Sequence, residues 1–179
     1  MGLYALTLWP EWAWAILIPD PMGKRCENRT WAPDARLRPG HTLALHAGVF
    51  RGSRNGHEWA SRLHDVANAA YREQARLEHI PGALKSPVRL HVNHHPRDKY
   101  RLLLDWHPIP APTGAVVALA TYLGCDREQR TGWDVPGQWH WRLGDVRPLA
   151  EHVPCRGAQG LWRLPDDLAL ECSRRADPA

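Results

Sequence analysis

Residues 24–31 read Lys-Arg-Cys-Glu-Asn-Arg-Thr-Trp, and no other stretch limits the fold so tightly. Side chains along an extended strand alternate between its two faces. Arg25, Glu27, Arg29 and Trp31 therefore share one face, and Lys24, Cys26, Asn28 and Thr30 the other. Charges on both faces forbid burial on both sides unless nearly every charge is paired. Two placements meet that condition. One is the wall of a polar cleft, and the other is an edge strand whose charges are solvated or paired as Glu27–Arg29.

The remainder of the chain can build a core around such a strand. With 179 residues, 44% of them hydrophobic, it suits one folded domain spanning 1–179 and not a disordered chain. Aromatic content is lopsided, with ten Trp against four Tyr and one Phe. Trp combines a broad apolar face with one N–H donor, which suits core packing by default and stacking on planar ligands at a surface. The net charge of +4 comes with twenty Arg against three Lys. Arg is the better fork for phosphate, although GC-rich coding gives the same bias. The charge permits an anionic partner without requiring one.

The four cysteines (Cys26, Cys125, Cys155 and Cys172) have no CxxC spacing and read as free thiols of a cytoplasmic protein. The eleven His residues show no zinc-binding spacing, so neither a metal nor a cofactor is expected. The apolar run from Trp12 to Ile18 stops at Pro19 and is too short to span a bilayer, so no membrane partner is expected either.

Residues 3–8 read as a strand. A helix follows from Pro10, where proline suits the first turn, to Ile18, with Trp9, Trp12, Ala13, Ile16 and Leu17 at core-facing spacing. Trp14 points elsewhere and is the cleft candidate of this helix. Strands are expected at 41–47, 115–123, 138–143, 146–153 and 160–164, with one more around Arg101–Trp106 in a proline- and histidine-rich stretch. Trp59, Leu63, Val66, Ala70 and Tyr71 keep a 3.6-residue register within a helix of about 55–79, and a short helix closes the chain from Pro165.

This order of signals resembles the ASCH family, a branch of the PUA-like superfamily of nucleic-acid-binding barrels. That family opens with a strand and then Leu-Trp-Gln-Pro-Trp-Ala at a helix start, where this chain has Leu8-Trp9-Pro10-Glu11-Trp12-Ala13. Its next motif, Gly-x-Lys-x-hydrophobic-Glu-x-Arg-Ser/Thr-Trp, is similar to Lys24–Trp31, with the glycine displaced by one place to Gly23. Leu45-His46-Ala47, Gly114–Ala118, Trp139-His140-Trp141, Arg147-Pro148-Leu149 and Gly160-Leu161-Trp162 resemble later family strands. The likeness covers roughly 1–48 and 113–168. One departure is a carboxylate, Glu11, near the place of the family's neutral glutamine.

The resemblance implies an α+β fold, a small mixed PUA-like β-barrel with an early short helix. It leaves 49–112 as an insertion made of the helix at about 55–79 and the Pro/His-rich segment. It also implies a cleft between the first helix and the charged strand. Lys24 and Arg29 suit a phosphate or carbonyl, and Glu27 suits an exocyclic amine or acid–base work. Trp9, Trp14 and Trp31 are the stacking candidates, with Glu11, Thr30 and His46 as further polar contacts. The expected function is binding of nucleic acid, RNA above all, or of a nucleobase.

Hydrolysis of RNA or of a modified nucleoside is the alternative, with Lys24 and Glu27 as catalytic residues. Small members of the family hydrolyse N4-acetylcytidine with a Lys, a Thr and a Glu. Lys24 matches the Lys, and Glu27 stands at the Thr position. A protein-interaction module is the third reading, with the charged strand as an internal ion-pair network. The sequence does not specify an oligomeric state.

Overall fold

A computed structural model of the chain describes residues 2–49, 57–80, 90–95, 98–104 and 114–176. The chain opens with β1 (Tyr4–Leu8), α1 (Pro10–Leu17), β2 (Cys26–Arg29) and β3 (Thr42–Ala47). It continues through α2 (His57–Glu78), β4 (Leu90–His95) and β5 (Asp98–Leu104) to β6 (Ala115–Asp126). It closes with β7 (Trp139–Pro154), β8 (Leu161–Arg163) and α3 (Asp166–Ala176). Six strands form one mixed sheet in the order β2-β7-β6-β3-β1-β8, while β4 pairs with β5. Only β1 and β3 run parallel in the large sheet.

Alternation along the strands decides which side chains enter which core. Leu6 and Leu8 of β1, Leu43 and Leu45 of β3, and Trp141 and Leu143 of β7 gather with Ala13, Ile16 and Leu17 of α1 in one buried cluster. Each such aliphatic side chain contributes about 1.5–3 kcal/mol of burial. Ala5 and Ala44, on the opposite faces of β1 and β3, pack with Leu164, with Cys172 of α3, and with Val116 and Leu119 of β6, whose register shifts break its simple alternation. A third cluster joins Trp14 and Ile18 to Met22, Cys26, Trp133 and the α2 residues Val66, Ala69, Ala70 and Leu77. The product is an α+β small barrel, with β2 and β8 as its edge strands.

The charged segment forms a shorter strand than its pattern suggests, because its first residues cap α1. Helices end with unsatisfied carbonyls. Here Arg25 donates to the carbonyls of Ile16 (2.8 Å) and Ile18 (2.9 Å), and Lys24 N–H donates to that of Ala15 (3.0 Å). Gly23 makes this crossing feasible, since a Cβ there would run into the Ile18 carbonyl and the Arg25 guanidinium. Arg25 is therefore engaged with α1 and with Asp20 (2.9 Å).

Other expectations shift for similar local reasons. The two strands expected at 138–143 and 146–153 are one continuous strand, β7. Gly144-Asp145 separates the two expected strands, yet the ladder with β6 carries register shifts along this stretch and Asp145 takes a positive φ of 44°. That is a bulged strand, not a break. The strand expected around 101–106 appears as β5, with β4 as an unforeseen partner. The helix expected at about 55–79 runs His57–Glu78. Residues 50–56, 81–89, 96–97 and 105–112 of the proposed 49–112 insertion lie outside the described residues. Among the described residues no helix is long and apolar enough to cross a membrane, and the four cysteines are unbridged.

Candidate functional site

A cavity of about 1080 Å³ opens where the β2 edge faces the end of β1 and the loop between β7 and β8. Its β2 wall follows from register. Glu27 lies opposite Trp141, and Arg29 opposite Trp139. Directly opposed residues share a face of the sheet, and Trp141 is fully buried. Glu27 and Arg29 thus lie on the inward-facing side of the sheet, at one end of the cavity.

Pairing makes that burial tolerable. Lys24, 1% exposed, donates to the Cys26 carbonyl and to Glu27 Oε2 at 2.6 Å. Its ammonium lies 5.6 Å from the centroid of the Trp12 ring, within cation–π reach. The other Glu27 oxygen lies 3.2 Å from Arg29 Nε. Arg29 also donates from Nη2 to the Thr7 carbonyl at 2.9 Å. Lys24, Glu27 and Arg29 form one chain of charge with a formal sum of +1. Both placements read from the octapeptide therefore coexist, since β2 is an edge strand with paired charges and those charges line a cavity.

Trp9 and Trp31, 51% and 36% exposed, stand at the rim. Trp31 is held by its neighbour Trp141, whose ring meets it edge-on at 4.8 Å and whose indole N–H donates to the Trp31 carbonyl at 3.2 Å. The other two tryptophans of this region trade places relative to the helical spacing. Trp12, expected in the core, lines the cavity. Trp14, expected in the cleft, packs between α1 and α2. Helical spacing alone could not show that α2 covers the far side of α1.

His46 lines the cavity from β3 and is 1% exposed. A carbonyl only accepts, so the 3.0 Å contact with the Cys155 oxygen makes Nε2 the donor. Nδ1 then presents a lone pair, and no described residue donates to it. Burial lowers the pKa of the ring, against a smaller raising effect of the Cys155 carbonyl. Gly157 lies against it. A Cβ at Gly157 would sit 2.7 Å from His46 Nδ1 and 2.8 Å from Thr7 Oγ1.

Of the other expected site residues, Glu11 is buried in the first turn of α1 and Thr30 is exposed, and neither lines the cavity. Asn28 lines it but is committed to a neighbouring loop, donating to the Trp133 carbonyl (2.9 Å) and accepting from Val135 N–H (3.3 Å). Thr7, Arg156 and Gly157 belong to the site without having been singled out for it. In the sequence Arg156-Gly157 reads only as a turn after the strand at 146–153, and Thr7 as one residue of the first strand.

The fold and site together define a small α+β barrel with a polar, tryptophan-rimmed cleft. Among solved structures the chain is similar to an ASCH protein from Zymomonas mobilis, with 12% identity and a TM-score of 0.47 over 95% of this chain and 92% of that one. Two single-substitution variants of the same protein give TM-scores of 0.46 at 11% and 12% identity, over 96% and 95% of this chain. No family model matches the sequence, and no curated protein does. The chemistry of the cleft rests on its own residues and not on this likeness.

Proposed function

We propose that the cleft binds a nucleobase, presented by RNA or by a free nucleoside. One observation carries this reading: the buried Lys24–Glu27–Arg29 chain opens onto a cavity whose rim holds two exposed tryptophans. Exposed indole faces beside a polar floor suit a flat ligand with hydrogen-bonding edges. Stacking on such a ring is worth about 1–3 kcal/mol per base. Glu27 and the neutral His46 accept hydrogen bonds, while the Arg29 guanidinium carries N–H donors beyond those given to Thr7 and Glu27, so the floor can address both kinds of group on a base edge.

The experiment is capture of cellular RNA on the immobilised protein, followed by mass spectrometry of the retained nucleosides. Enrichment of one base or modified base, lost in a Trp9→Ala/Trp31→Ala variant, supports the reading. Recovery of protein alone would overturn it in favour of an interaction module.

A second reading, hydrolysis of RNA or of a modified nucleoside, is favoured by the 2.6 Å Lys24–Glu27 contact beside the cavity. An ammonium touching a carboxylate can hold and move a proton at a bound substrate. Time-dependent loss of the captured nucleoside separates this from binding alone.

A further inference from the structure

We infer that the ligand is a nucleoside phosphate, with the base on the β2 floor and the phosphate held by Arg156 and the loop 155–160. This rests on the nucleobase reading of the cleft and adds the class of ligand. The cations of the cleft differ in what already holds them. Lys24 is saturated by the Cys26 carbonyl, Glu27 and the Trp12 face. Arg29 is held by Thr7 and Glu27. Both are held in place by these contacts, so neither can turn toward a phosphate without giving up a partner.

Arg156 differs on every count. It is exposed, lines the same cavity from the loop between β7 and β8, and makes no hydrogen bond or ion pair with a described residue. Its loop is pinned at the start, where Cys155 N–H donates to the Gly114 carbonyl (3.0 Å) and the Cys155 carbonyl accepts from His46 (3.0 Å). Beyond that point no N–H of residues 156–160 donates to the backbone of a described residue. Free amides in a tight glycine-containing loop, beside an arginine fork, form a cradle for an anion. Gly157 is required for this placement, because its Cβ would strike His46 and Thr7. Thr7 joins the two compartments. Its carbonyl holds Arg29 of the floor and its hydroxyl abuts Gly157 of the loop. A base and its own phosphate need that kind of adjacency.

The test compares the four ribonucleosides, their 5′-monophosphates and a mixed-sequence RNA of about eight nucleotides for binding to the intact protein. At least one monophosphate should bind tighter than its nucleoside by about tenfold or more. Arg156→Ala should remove most of that margin, and should flatten the log–log salt dependence of RNA binding by about 0.7. Arg156→Lys should keep the salt dependence. Arg156 is exposed and makes no hydrogen bond or ion pair with a described residue, so an unchanged melting curve is expected for both variants. Tighter binding of the RNA than of any monophosphate identifies a strand as the source of the phosphate, and parity identifies a free nucleotide. Nucleosides that bind as well as monophosphates, or a margin indifferent to Arg156→Ala, would overturn this inference and leave the cleft reading standing. Failure of every probe to bind would remove both.

Discussion

Arg29 and Thr7 join two strands that are not neighbours in the sheet. The Arg29 guanidinium on β2 donates to the Thr7 carbonyl on β1 at 2.9 Å, across the gap that the sheet order leaves between them. Thr7 lies beyond the last residue pair of β1 with β8, which ends at Leu6–Leu161. One side chain thus ties the β2 edge to β1, and it also lines the cavity.

Removing that tie should therefore be felt in stability. Arg29→Ala is expected to cost about 2 kcal/mol, the range for a hydrogen bond to a charged group, read by urea unfolding. Arg29→Lys should recover only part, because an ammonium cannot address Thr7 and Glu27 with the same planar fork. Unchanged stability in Arg29→Ala would show that the tie is incidental.

The Lys24–Glu27 pair should behave as one unit. Lys24→Met leaves a buried carboxylate with Arg29 as its remaining ionic partner, at a cost of about 3 kcal/mol. Adding Glu27→Gln should restore part of that loss, so the double variant should fall short of the summed single costs by about 1 kcal/mol or more. Strict additivity would mean that the two side chains do not support each other.

If the protein turns RNA over, either Lys24→Met or Glu27→Gln should lower the rate by about 10² or more, and the two effects should not add. N4-acetylcytidine is expected to release no acetate efficiently. Glu27 stands where the small N4-acetylcytidine-hydrolysing members of the resembled family carry threonine, and its carboxylate occupies Lys24. Efficient acetate release, abolished by Lys24→Met, would assign the nucleophile to another hydroxyl or to water.

His46 predicts a pH response. An unfolded imidazole titrates near 6.5, and burial lowers the folded value. Between those two values the unfolded chain binds more protons, so acid favours unfolding. Stability should hold above about pH 7 and decline as pH falls through 6.5 toward the folded value. His46→Gln should flatten that decline. An equal slope in wild type and variant would place the acid sensitivity elsewhere.

Parity was legible only within β2, where alternation is a property of the strand itself and Glu27 and Arg29 do share an inward face. Lys24, expected on the face opposite Glu27, precedes the strand and reaches the Glu27 carboxylate. Arg25 escaped that logic, since its partners are carbonyls of a helix that ends several residues earlier. Trp12 and Trp14 were assigned by helical spacing, which states their separation around the axis but not which side a distant helix will cover. Gly144-Asp145 carries turn chemistry in a place where the paired β6 keeps the strand going. Arg156-Gly157 reads as an ordinary turn, because the closeness of Gly157 to Thr7 and His46 is long-range.

The segment that carries α2 is not an ornament that could be trimmed away. Val66, Ala69, Ala70 and Leu77 cover Trp14, Met22 and Trp133, and Glu73 accepts from Gly132 N–H at 2.6 Å. A shortened chain would present a tryptophan-rich face to water and lose an anchor of the loop holding Asp134, the buried carboxylate paired with Arg142 at 2.8 Å. Loss of α2 and loss of solubility should therefore arrive together, which ties the evolutionary history of the insertion to that of the barrel wall it shelters.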